Sequence, residues 1–269
     1  MGSVVTVLAP RGGSGKTVLA CNLAVVLGLA GADVCLVDLD FAAGDIAGSL
    51  GLEVPASVMS ATSADGHLDE KLLPSLIQRY KFGVDCVLAP MTPGDSEKVT
   101  AEFVEELLAL LRSRYDFVIV DTPNRMSSRM QAALDMSDHH LLLSTPTRPA
   151  LRSTRQTLDI LDLLCIPQAK RSVVLNHADT PGGLSDYTVG AIMRSTVAGR
   201  LPDSPGVMVS INNRIPLAIS DPKHPYVTAV RKFAAAHLSP IHADTALVAS
   251  RRAEAQQARR LRVPPGVAS

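Results

Sequence analysis

The feature that most restricts this chain lies at its start, where the apolar run Val4–Leu8 leads through Pro10-Arg11-Gly12-Gly13-Ser14-Gly15-Lys16-Thr17 into a long uncharged stretch. A strand, a glycine-rich turn and a helix in that order form the tail of a P-loop. Glycines let backbone N–H groups converge on phosphate oxygens, Lys16 reaches the terminal phosphates, and the Thr17 hydroxyl can ligate magnesium. Gly12, Gly13, Ser14 and Gly15 supply the backbone of the cradle. The general pattern has a glycine where Pro10 stands.

Such a turn belongs in a parallel sheet, and the rest of the chain repeats the arrangement. Residues 4–8, 34–37, 84–88, 117–120, 141–143 and 173–175 are short runs of continuous apolar character, the signature of strands buried on both faces. Helical patterns are expected over 16–31, 68–80, 97–113, 127–136, 150–164 and 184–194. Alternating strands and helices predict an α/β fold of three layers, a mostly parallel doubly wound sheet with helices on both faces. In such sheets ligands bind beyond the carboxyl ends of the strands. Residues 53–67 and 202–225, rich in Pro, Ser, Asp and Gly, read as surface loops.

Those strand ends carry acids. Asp121 closes FVIVD and is followed by Thr122-Pro123, as does the aspartate that holds a metal-bound water in other P-loop proteins. Asp38 and Asp40 close VCLVDLD, and with a period of two they share a face if the segment stays extended. A single strand-end Asp is usually a cap or turn former; three beside a P-loop point to magnesium chemistry.

Composition excludes several classes. The 269 residues hold 26 basic and 26 acidic side chains, so no global field draws the chain to polyanions. Four cysteines inside apolar runs make neither a disulfide framework nor a zinc site and are expected in the core. The uncharged run 18–32 imitates a signal peptide but is too short to span a bilayer, so a cytoplasmic protein is expected. His139 and His140, adjacent on a strand-like segment, point to opposite faces and are poorly placed to share a metal.

The motifs PRGGSGKT, VDLDFAAGD, FVIVDTP and VVLN together resemble the deviant Walker A ATPases of the MinD/ParA class. Within that class the runs FVEELLALLRSRYDFVIVDTP, VVLNHAD and LPDSPGVMVSINNRIPLAISDPKHPYVTAV look most like the CpaE/TadZ localisation ATPases of Tad-type pilus assembly. The resemblance covers roughly residues 3–235. It implies ATP and Mg2+ as cofactors, an ATP-sandwiched homodimer, slow hydrolysis, and pilus or secretion assembly proteins as partners. The class-defining second lysine is Arg11 here, and the resemblance has it reach the partner's nucleotide. Asp40 would then orient the attacking water, while Asp38 and Asp121 support magnesium through its water shell. Relatives follow GKT with a second hydroxyl residue that touches the α-phosphate, a contact Val18 cannot make. Asn176 resembles the residue whose amide reads the nucleobase, with the loop from Pro202 to Val207 as the other wall. The run Asn176-His177-Ala178-Asp179 also resembles NKxD, in which Asp179 would read guanine; the remaining motifs favour ATP. Pro10 and Val18 motivate a scaffold without turnover as the alternative.

The chain divides at 237/238 into an ATPase domain (1–237) and a basic helix with a tail (238–269). Residues 245–263 hold five Arg (Arg251, Arg252, Arg259, Arg260, Arg262) against one Glu, so the segment carries +4 and the remainder −4. Contact with an anionic membrane surface at the inner face or cell pole, or with DNA in a partitioning role, is the expectation for this helix. A solvated terminal helix is the plain alternative.

Overall fold

The computed structural model describes residues 2–54, 61, 67–90, 94 and 98–238. The arginine helix at 245–263 and most of the 53–67 stretch lie outside the described residues. A single eight-stranded sheet organises the rest. Its strands are β1 (Ser3–Leu8), β2 (Val34–Asp38), β3 (Ile77–Arg79), β4 (Val84–Val87), β5 (Phe117–Asp121), β6 (His139–Ser144), β7 (Arg171–Leu175) and β8 (Val197–Arg200), in the spatial order β3-β4-β2-β5-β1-β6-β7-β8. All neighbours pair in parallel except β3 with β4.

Continuous apolar strands are what a doubly covered sheet requires, and period two sorts them by face. Val5 and Val7 of β1, Phe117 and Ile119 of β5, and Leu141 and Leu143 of β6 face one core. Against it pack α1 (Lys16–Leu29), α2 (Asp45–Leu50), α9 (Leu217–Ser220) and α10 (Pro225–His237). Val4 of β1, Val118 and Val120 of β5 and Leu142 of β6 face the opposite layer. That layer holds α3 (Leu73–Leu76), α4 (Ala101–Arg114), α5 (Ser128–Asp135), α6 (Arg148–Leu163) and α7 (Asp186–Met193). An eighth-strand loop leads to α8 (Pro205–Asn212), capped by the Ser204 hydroxyl. The chain leaves β1 for β2 on one side and later crosses to β6 on the other. Position β1 is therefore the topological switch point, and the glycine-rich turn sits beyond its carboxyl end.

The structure corrects three expectations and adds two elements. The helix expected over 68–80 is a 3₁₀ turn at Glu70–Leu72, one turn of helix, and then edge strand β3. Phe82 and Gly83 at φ 58° and 75° form the tight turn that folds β3 antiparallel onto β4, a local geometry that outweighs the weak helical period. The loop expected over 202–225 contains α8 and α9, each opened by proline chemistry that reads equally well as a turn. Cys21, Cys35 and Cys86 are buried, but Cys165 is exposed in the turn after α6. The added elements are strand β8 and helix α10, which no expected strand or helix covers.

Among the described residues no helix is long and apolar enough to cross a membrane. His140 meets the Thr6 hydroxyl at 2.9 Å and His139 meets the Ser172 hydroxyl at 2.9 Å, so each ring is held by its own partner.

Candidate functional site

The glycine-rich turn takes the backbone form that its residues allow. Gly13 and Gly15 adopt φ 73° and 89°, the left-handed region that favours glycine, and Gly15 opens α1 with no side chain capping the helix N-terminus. The amides at that end, with the helix dipole behind them, are arranged for an anion. Two contacts fix the turn: the Ser14 hydroxyl donates to the Arg11 carbonyl at 2.7 Å, and the Asn176 amide donates to the Ser14 carbonyl at 3.0 Å. Asn176, buried after β7, lies so close that a Cβ on Gly15 would sit 2.6 Å from its nitrogen.

The acids converge on the same point. Asp38 and Asp121 are paired across β2 and β5 in register. Thr17 donates its hydroxyl to Asp121 Oδ2 at 2.6 Å, and Lys16 Nζ stands 3.7 Å from Asp40 Oδ2 and 4.0 Å from Asp121 Oδ1. That Asp121 Oδ1 is buried and accepts no hydrogen bond among the described residues. Burial pushes the Asp121 carboxyl up to about 6, against the pull of Lys16 and Thr17. Asp38 is raised as well, by burial and then by Asp121, although both its oxygens accept backbone N–H groups, from Asp40 at 3.0 Å and Ile46 at 3.3 Å. Those two bonds shape the loop that presents Asp40. Asp38 thus sits beside the cluster with its oxygens already engaged, while Asp40 and Asp121 face Lys16.

Of the remaining sequence-derived positions, Arg11 is held within the chain, its Nε donating to Ser153 of α6 at 3.2 Å. Val18 packs against the α1 core. Pro202 follows Leu201, whose N–H donates to the Leu175 carbonyl at 2.8 Å, so the loop after β8 stands beside the loop carrying Asn176. Asp179 accepts the Asp203 N–H at 2.6 Å, and Asp203 in turn pairs with His177 at 2.7 Å, a contact that holds its carboxyl below the usual range.

Three neighbours of the site escaped the sequence reading. Asn124 follows Thr122-Pro123, and a Cβ on Gly12 would lie 3.4 Å from its amide nitrogen. Ser153 holds Arg11, and no local pattern marks it. Asn22, one turn beyond Val18, donates to the Val18 carbonyl at 2.8 Å and accepts the Ala218 N–H at 2.8 Å, fastening α1 to α9. A lone buried polar residue in the apolar run 18–32 was the available signal for it.

A P-loop at the switch point of a doubly wound sheet, with a lysine, a hydroxyl and strand-end carboxylates in one cluster, defines a phosphate-binding P-loop protein. The AAA domain family matches residues 2–170, and the chain belongs to it, as a P-loop ATPase of the MinD/ParA class. The septum site-determining protein MinD of Synechocystis is 25% identical over 227 residues, 82% of this chain and 84% of that protein. Among solved structures, a ParA family ATPase from Chlorobium tepidum superposes with a TM-score of 0.79 at 22% identity, covering 87% of this chain and 99% of that one. MinD from Pyrococcus horikoshii, complexed with Mg-ADP, gives 0.76 at 21% identity, over 87% and 95%.

Proposed function

We propose that this chain is a nucleotide-switched positioning ATPase: it binds ATP with magnesium, closes face to face with a second copy, offers a partner surface in that state, and resets by slow hydrolysis. The observation that carries the reading is the cluster of Lys16, Thr17, Asp40 and Asp121 under the glycine turn. An orphaned buried oxygen on Asp121, beside a hydroxyl that already contacts the same carboxylate, is the donor set a hard divalent cation uses. Thr17 and Asp121 would hold magnesium, with Asp38 supporting them; when bound, the ion neutralises charge on the phosphate oxygens.

The chain's own residues account for the remaining steps. Backbone amides of Gly12 to Gly15 receive the phosphates, and Lys16 balances their charge. Asp40, held by the Asp38 bonds, stands where it can accept a proton from a water attacking the terminal phosphate. Arg11 reaches the partner's site once released from Ser153, acting as a cation supplied in trans. Asn176 and the Pro202 loop flank the nucleobase.

The likeness of the late segments to CpaE/TadZ supports a finer reading, in which the structure being placed is a Tad-type pilus and the partners are its assembly proteins. Partner proteins of related ATPases are a matter of those chains: one solved relative is a MinC:MinD cell division complex from Aquifex aeolicus. A scaffold without turnover is the competing reading, favoured by Val18 at the α-phosphate position and by Arg11 resting on its own subunit.

Mixing two variants, Arg11→Ala and Asp40→Ala, separates these readings. Each alone is expected to bind ATP and hydrolyse none. Mixed dimers contain one site with an intact Asp40 and the partner's intact Arg11, so the mixture recovers part of the wild-type rate. A mixture as inactive as its components, beside an active wild type, removes the trans role of Arg11. A wild type that binds no nucleotide and stays monomeric by light scattering sinks the whole proposal.

A further inference from the structure

At the end of the sheet opposite the P-loop, a cleft of about 440 Å³ opens between α6, the start of β7 and the turn joining α7 to β8. Its lining includes Arg155, Arg171 and Arg194, the hydroxyl residues Ser195 and Thr196, and a single acid, Asp162. The cations are not equivalent. Arg155 donates to Asp159, Asp162 and the Met193 carbonyl, and Arg171 to Asp162 and the carbonyls of Leu158 and Ile166. These two therefore engage backbone carbonyls and both nearby acids. Arg171, only 8% exposed, still keeps a buried Nε–H that donates to no acceptor among the described residues.

Arg194 is the excess charge. It is exposed, and it makes no ion pair among the described residues. Its backbone is also strained: at φ 51° and ψ 39° it occupies the left-handed position just past α7, where glycine is the usual residue. A long charged side chain kept in a glycine conformation at the mouth of a cleft is the kind of outlier from which a function is inferred. The lining acid Asp162 and the neighbouring Asp159 are taken up by Arg155 and Arg171, so Arg194 leaves the cleft net positive. Guanidinium forks pair with planar or tetrahedral oxyanions through two oxygens at once, and Ser195 and Thr196 add neutral donors at the same rim.

We infer that this cleft is a second ligand site, separate from the P-loop, that takes a small polyvalent oxyanion bearing phosphate or carboxylate groups. Its volume falls in the range of small-molecule sites. Arg194 supplies the recognition fork, with the unpartnered buried Nε–H of Arg171 as a second donor. The inference does not depend on the nucleotide chemistry proposed above.

Hydrogen exchange read by mass spectrometry on the full chain tests it, because segments 10–18 and 190–198 report on the two sites independently. Pyrophosphate and tricarballylate serve as the phosphate and carboxylate probes. Protection of 190–198 by either supports the site, and the stronger of the two identifies the source class. The variant Arg194→Gly removes the fork while relaxing the backbone, so it should melt no lower than wild type and weaken binding at 190–198 by roughly tenfold. Absence of protection at 190–198 with both probes overturns the inference, as does an Arg194→Gly variant that binds as tightly as wild type.

Discussion

Gly15 offers the sharpest test of how this loop is built, because two separate costs meet at one atom. Gly15→Ala places a Cβ on a residue at φ 89°, and an L side chain in the left-handed region costs roughly 1–2 kcal/mol. The same Cβ would stand 2.6 Å from the Asn176 amide nitrogen, too close to coexist, so the amide must move and release its bond to the Ser14 carbonyl. Losing that bond within a buried pocket adds roughly 1–3 kcal/mol. The expected destabilisation is therefore about 2–5 kcal/mol, measured by urea unfolding at fixed pH with no nucleotide present. Gly13 is the internal control. It has a similar φ of 73° but nothing within 4 Å of its added Cβ, so Gly13→Ala should show the backbone cost alone.

The second arm is a double-mutant cycle with Asn176→Ala, which removes the colliding amide. If the collision is real, Gly15→Ala costs less in that background, and the coupling term exceeds about 0.5 kcal/mol. Equal costs in both backgrounds would refute the claim that Asn176 buttresses the loop. A Gly15→Ala variant within about 0.5 kcal/mol of wild type would refute the larger argument, that the left-handed turn is required by the fold as drawn.

Other expectations follow from the same contacts. Thr17→Val removes the hydroxyl that meets Asp121 at 2.6 Å, and should abolish most of the magnesium dependence of ATP binding; titration of a fluorescent ATP analogue with and without magnesium reads this, and an unchanged dependence counts against the assignment. Burial lowers His139 and His140 from 6.5 to about 4, so the folded state binds fewer protons than the unfolded one between those values. Their contribution is complete above about pH 6.5 and is lost as pH falls toward 4, by up to a few kcal/mol in total. Asp121, raised to about 6, works in the opposite direction over part of the window, so the histidine term is isolated by comparing urea midpoints of wild type with His139→Gln/His140→Asn; equal pH slopes would defeat it. Asn22→Ala unfastens α1 from α9 and leaves the Ala218 N–H without its acceptor, a loss of roughly 1–3 kcal/mol in urea unfolding, against a change near zero if the bridge is idle.

Much of this architecture was legible in the sequence because it rests on short-range signals. Strands β1, β2 and β5 are covered on both faces, so their apolar runs carry no competing pattern; β1 leads into the glycine turn, and β2 and β5 end in Asp38 and Asp121. The P-loop is legible for a similar reason: its glycines, lysine and threonine act through local backbone geometry. What the sequence hid depends on distant partners. Strand β8 is four residues with a glycine, and it is a strand because β7 offers a pairing edge. Strand β3 depends on β4 in the same way. Ser153 holds Arg11 across 142 residues of chain, and Asn176 reaches the loop across 162, which no local spacing encodes. Asn124 was within reach of a sequence argument, since it continues the strand-end loop after Asp121, but an exposed Asn in a turn has an ordinary structural explanation.

The electrostatics of the site explain why its parts are arranged at some cost to the fold. Asp38 and Asp121 lie side by side in register, both almost completely buried; burial raises each carboxyl, and Asp121 raises Asp38 further. Two neighbouring carboxylates taken from water destabilise a folded chain unless something opposes them. Within the chain the opposition is incomplete: Lys16 stands at salt-bridge distance from Asp121 and Asp40 but not from Asp38, while Arg11 points away toward Ser153. Three acids and one lysine leave the centre negative, yet the same centre must receive polyanionic phosphates. In the proposed function a divalent cation entering with the nucleotide would resolve the conflict, because it would satisfy the orphaned Asp121 oxygen and offset phosphate charge at once. A site built only for stability would have exchanged one of these acids for an amide. Retaining all three costs the empty protein stability and would make ligand binding a source of it, the coupling that the proposed nucleotide-operated switch requires.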